Sequence, residues 1–366
     1  MSMNRVAGWR RERISLVLVL AGLGMSAGFI SAVRHAVPSR RGGGAAPAGQ
    51  RERPQAVLDT ERPTRLRGAL AVIDRAAQLP GGEFAVLSES SGGDDRDALD
   101  AFSASGVLVK AMGGTAVPLG LSRLTSLEAT RGGNLLVTTF YPPEVGRFDQ
   151  TGLVSARKLA PLKNTYGIAL DEARGYAYIA GCRVVTDAAG PCLLVHQFSL
   201  RDWRLRRSFL PMAPSVRLGQ QFSVQSVPLD VDSEGTVWAV DSPALVLYSI
   251  NPATGLAVPH PIREIGARPA GRFNPLGSGD YVRNYLGRYT FPLGVAAAGG
   301  WVVVSLRRPG GRGYALAVFD RAGAEVAGDL RSPGPLVGRG PGGRLLFARS
   351  GRGGPGLVVG RLRVSR

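Results

Sequence analysis

The segment IGARPAGRFNPLGSGDYVRNYLGRYT, residues 265–290, concentrates the side chains best able to hold a charged ligand. Arg268, Arg272, Arg283 and Arg288 stand against one acid, Asp280, and alternate with Phe273, Tyr281, Tyr285 and Tyr289. A guanidinium group grips a carboxylate, sulfate or phosphate through two parallel N–H bonds, and an aromatic face stacks on a sugar or another flat group. These residues therefore predict a binding site for an anionic or carbohydrate-like ligand, with Arg307 and Arg308 of RRPGGRG beside it and Arg349 and Arg352 on the same side. The alternative is a lid loop whose rings fill space and whose arginines are solvated.

Residue types for catalysis are scarce. The chain has three histidines: His35 beside an N-terminal apolar run, His196 in LLVHQF, read as a half-buried strand residue, and His260. No G-x-S-x-G, H-E-x-x-H or phosphate-cradling glycine loop is present, and the GG and GRGG stretches are turns because no helix follows them. No catalytic residue, cofactor or metal site is expected. The acidic stretch ESSGGDDRDALD (89–100) lacks the ligand spacing of a calcium loop and reads as a solvated loop.

What must position the arginines is a repeat. An apolar strand, a glycine-containing turn and a second apolar strand recur at 69–89, 126–140, 167–181, 228–242, 292–306 and 334–350. Each is followed by a third apolar run ending in a polar turn, such as VGRFDQTG (145–152) and LAVFDRAG (316–323). A fourth strand follows in five copies, whereas the sixth ends with the chain, and AVLDTERPTRLRG (56–68) stands alone before the first. A ring of sheets uses such a stray strand to complete the last sheet and remove the open edges. The expectation is all-β: a six-bladed β-propeller over 56–366, its N-terminal strand closing the last blade.

The units GIALDEARGYAYIAG and VPLDVDSEGTVWAVDS resemble blades of the NHL-like and TolB-like six-bladed propellers. That resemblance implies architecture more than activity, because such propellers include lyases, lactonases, receptor modules and scaffolds. Its lactonase-like branch implies metal-binding carboxylates around the central channel. The inner-strand acids here are Glu128, Asp171, Asp230 and Asp232; they read as falling at different offsets in their copies, so no metal site is carried over. Asp171 reads as a structural turn residue. Within the repeat, long segments precede the first strand and separate the second from the third, so they share one face, which is the expected binding face.

The remaining signals concern location. Arg5, Arg10, Arg11 and Arg13 precede the uncharged run SLVLVLAGLGMSAGFISAV (15–33), which reads as an export signal or a membrane anchor, with 34–55 as a flexible tether. Cys182 and Cys192 flank a short loop and are expected to form a disulfide in an oxidising compartment, with two buried thiols as the alternative. The net charge is +18, but only three of the 45 basic residues are lysine. For an exported protein this favours an arginine-rich surface over nucleic-acid binding. Together these features predict an exported, monomeric binding or scaffold propeller recognising an anionic or glycan ligand or an envelope protein. A hydrolase or lyase working at the channel is the alternative.

Overall fold

A computed structural model describes residues 54–67, 70–90, 97–112, 124–183, 193–211, 227–242, 244–265, 288–311, 313–351 and 354–365. Strands β1 (Gln55–Thr60) and β2 (Thr64–Arg65) precede five four-stranded units and a sixth of three strands. Blade 1 holds β3 (Leu70–Gln78), β4 (Phe84–Ser90), β5 (Asp97–Phe102) and β6 (Leu108–Ala111), and blade 2 holds β7 (Leu124–Ala129), β8 (Leu135–Thr139), β9 (Glu144–Asp149) and β10 (Gly152–Lys158). Blade 3 holds β11 (Leu162–Asp171), β12 (Tyr176–Arg183), β13 (Leu193–Ser199) and β14 (Leu205–Pro211). Blade 4 holds β15 (Leu229–Val231), β16 (Val237–Asp241), β17 (Val246–Ile250) and β18 (Ala257–Pro261). Blade 5 holds β19 (Phe291–Ala298), β20 (Trp301–Arg307), β21 (Tyr314–Phe319) and β22 (Glu325–Ser332), and blade 6 holds β23 (Leu336–Gly340), β24 (Arg344–Arg349) and β25 (Gly356–Ser365).

Every unit is an antiparallel meander, and β1 completes blade 6 by pairing with β25 from Gln55↔Ser365 to Thr60↔Gly360. The stray N-terminal strand thus closes the ring as the repeat requires. The first strands β3, β7, β11, β15, β19 and β23 neighbour one another in a closed circle and surround the central channel.

Second strands such as LLVTT (β8) and VWAVD (β16) are buried along their whole length, because each has a neighbouring blade on both faces. That explains their continuous apolar runs in place of the alternation of a half-exposed sheet. Apolar clusters fill each junction between adjacent blades, for example Phe84, Val86 and Phe102 against Val337, Leu346 and Leu357 where blade 1 meets blade 6. At the centre the inner strands come so close that side chains must be absent. A Cβ on Gly338 of β23 would lie 1.7 Å from the Ala76 carbonyl oxygen of β3.

Candidate functional site

The turns joining first to second strands gather at one end of the channel, and a cavity of about 660 Å³ opens there. Its wall includes Glu128, Arg131, Asp171, Glu172, Asp232, Trp301, Arg321 and Arg339. Below it the channel narrows to a space of about 40 Å³ lined by Arg75, Ser126, Glu128 and the bare backbone of Gly167, Gly294 and Gly338. Glu128 borders both spaces and so marks the constriction.

Glu128 and Asp230 occupy equivalent places, which corrects for this pair the expectation that the four inner-strand acids fall at different offsets; Asp171 and Asp232 do differ. Glu128 pairs with Leu136 and Asp230 with Trp238, each two residues before the residue that opens the turn, Thr130 or Asp232. Both turns are closed in the same way, by Gly133 N–H to the Thr130 carbonyl and Gly235 N–H to the Asp232 carbonyl. The two carboxyls therefore enter the channel from alternate blades at one level, and Arg339 enters from blade 6, the third of the alternate blades.

Their surroundings differ sharply. Asp230, 2 % exposed, accepts hydrogen bonds from the amides of Val231 (2.7 Å) and Ala297 (2.8 Å) and pairs with Arg339 at 3.1 Å. Arg339 also donates to the Val231 carbonyl at 3.3 Å, so this pair ties blades 4, 5 and 6 across the channel. Burial pushes the Asp230 carboxyl up, with Arg339 and the two amides opposing it, while Asp230 holds the Arg339 guanidinium firmly charged. Glu128 takes no part in these bonds. Burial pushes its carboxyl up to about 8; Arg339 and Arg75 pull it down, and Asp230 and Glu172 add to the rise.

The other inner-strand acids serve their turns. Asp171, 5 % exposed, accepts from the Arg174 amide at 3.2 Å and pairs with its guanidinium at 3.1 Å. Asp232 accepts from the amides of Glu234 (2.9 Å) and Thr236 (3.0 Å) and from the Trp238 indole (3.0 Å). Glu172 caps the neighbouring turn by accepting from the Arg131 amide at 2.9 Å.

Of the arginine and tyrosine set, Arg268, Arg272, Tyr281, Arg283 and Tyr285 lie outside the described residues. Arg288 is exposed at the opposite end of the channel and Tyr289 is 9 % exposed. Arg307 stacks on Phe291 with its guanidinium carbon 5.6 Å from the ring centre, and burial lowers its pKa. Arg308 is ion-paired with Asp329. Cys182 is the next-to-last residue of β12, and Cys192 falls outside the described residues. His196 is 0 % exposed, not half-buried: its ring bridges the Ser208 hydroxyl (2.8 Å) and the Gly181 carbonyl (3.2 Å) because blades pack on both faces of β13. His260 bonds the Ser249 hydroxyl at 2.8 Å. Among the described residues no helix is long and apolar enough to cross a membrane, and residues 15–33 lie outside them.

No family model matches the chain, and no curated protein matches it. Among solved structures, a candidate exported protein from Bacteroides fragilis superposes with a TM-score of 0.52 at 10 % identity, over 84 % of this chain and 96 % of that one. The fold is that of a six-bladed β-propeller. Virginiamycin B lyase from Staphylococcus aureus superposes at 0.46 with 10 % identity (84 % and 99 % of the chains). A chain of the nidogen/laminin complex superposes at 0.47 with 12 % identity (76 % and 94 %). Likeness at such identities concerns the fold alone.

Proposed function

We propose that this protein is an exported binding propeller that holds a small ligand at its central channel. The observation that carries the reading is the ligand-sized cavity at the turn-side mouth, with the Glu128 carboxyl bordering it and engaged by no donor among the described residues. Ligand sites are concavities of about 300–1,000 Å³ with a few convergent polar groups, and this one falls within that range. The arginine- and tyrosine-rich segment is proposed to attract an anionic or glycan ligand or an acidic envelope partner, with Arg288 as its exposed described member.

Export is supported by the basic flank and apolar run at the N-terminus. It carries the Cys182–Cys192 bridge with it: thiol counting on the denatured, unreduced protein is expected to find none, and two thiols would remove the bridge.

A catalytic reading would use Glu128 as a proton donor, since a carboxyl held neutral near pH 7 suits general-acid work. Among the described residues of the cavity no serine–histidine or cysteine–histidine pair accompanies it, so binding is preferred. The experiment is a fragment screen by thermal shift on the full chain, with Ala173→Trp filling the exposed rim of the cavity. Binders lost in that variant are expected; if no binder depends on the cavity, the reading fails.

A further inference from the structure

The ligand class can be argued from the partners at the mouth, and the argument rests on the binding reading above. Each arginine in the cavity wall already holds a carboxylate: Arg131 lies 3.7 Å from Glu172, Arg339 lies 3.1 Å from Asp230, and Arg321 is paired with Glu234. Asp171 is likewise held by Arg174 at 3.1 Å, and Asp232 spends its oxygens on two amides and the Trp238 indole. What remains is Glu128, a carboxyl open to both the cavity and the channel and bonded to no donor among the described residues. An anion entering here would meet arginines already neutralised by carboxylates. A cation would meet an acid that no donor among the described residues contacts, although Arg339 and Arg75 stand near it, in a protein whose net charge of +18 repels cations elsewhere.

We infer that the turn-side cavity takes a small molecule bearing an ammonium or guanidinium group, which docks on the Glu128 carboxylate. The half-buried indole of Trp301 in the same wall offers an aromatic face for the same charge. The groups facing Glu128 are Arg75 from β3, Glu172 beyond β11, Asp230 from β15 and Arg339 from β23. Among these, Arg339 is bound to Asp230, and Arg75 directs one guanidinium nitrogen to the Asp74 carbonyl at 2.9 Å. Because the empty fold keeps a proton on Glu128 up to about pH 8, the incoming cation displaces that proton to solvent. Affinity then rises with pH from about 6 through 8 and levels off above about 9.

The test is calorimetric titration of the purified full chain with agmatine and spermidine, set against glucuronate as an anionic probe and glucose as a neutral one. The cations are expected to bind, with about one proton released at pH 7, an affinity about fiftyfold higher at pH 8 than at pH 6, and a loss of at least tenfold in Glu128→Gln. Ala173→Arg, at the exposed rim, is expected to weaken cation binding by repulsion and serves where Glu128→Gln proves unstable. Equal cation binding by wild type, Glu128→Gln and Ala173→Arg would mean non-specific surface binding and overturn the inference, as would no cation binding at all. Binding of glucuronate or glucose that is lost in Ala173→Trp, without cation binding, also overturns it yet leaves the binding reading standing.

Discussion

The two ends of the channel are made from the same strands and differ in what connects them. On the turn side, short hairpins bring carboxylates and arginines to fixed positions, and three of the four acids in the wall, Asp171, Glu172 and Asp232, are consumed in holding those hairpins. On the loop side, the long connections carry an excess of arginine; among the described ones Arg288 is exposed, Arg307 lies over a phenyl ring and Arg308 pairs with an exposed carboxylate. Rigid connections let one acid, Glu128, be kept unpaired, because neither its hairpin nor the Arg339–Asp230 bridge needs it. Long connections instead supply many interchangeable charges, which suits attraction more than precise placement.

The contrast is broken most forcefully at the bridge. Arg339→Ala leaves Asp230 buried without its cation, and breaking such a pair costs about 3 kcal/mol; urea unfolding should show it. Gly338→Ala follows, since its new Cβ meets the Ala76 carbonyl and must push β23 from β3, at about 2 kcal/mol for an overpacked contact.

Glu128→Gln sharpens the comparison by its sign. A carboxyl raised from 4.5 to about 8 favours the fold when protonated, so its contribution is complete below about pH 4.5 and is lost as the pH rises through about 8. The variant should match wild type in thermal unfolding at pH 4 and exceed it by about 1–2 kcal/mol above pH 8, a figure reduced because the carboxyl keeps some solvent contact. The smallest effect belongs to the loop side: Arg308→Ala removes an exposed pair with Asp329 and should shift stability by no more than about 0.5 kcal/mol.

Most of the architecture was legible in the sequence because a strand, a glycine turn and a strand recur with apolar runs matched to blades that pack on both sides. The equivalence of Glu128 and Asp230 was also available: each stands five residues before its positive-φ turn glycine, Gly133 or Gly235, whereas Asp171 stands four before Gly175. Aligning the copies on those glycines would have shown it. Arg75 and Arg339 were hidden for a different reason. Arg339 lies in GPLVGRGPGG, where it reads as one more turn arginine, and its partner Asp230 is 109 residues away and two blades distant. Only closure of the ring brings them together.

Glu128 stands at the channel constriction as a carboxyl that burial keeps protonated and no donor among the described residues contacts. Carbon-13 NMR of the glutamate carboxyls across a pH titration, with the Glu128 signal assigned by its loss in Glu128→Gln, reads this directly. The account predicts a midpoint at about 8 in the ligand-free protein; a midpoint in the ordinary glutamate range, about 4.3, would contradict it.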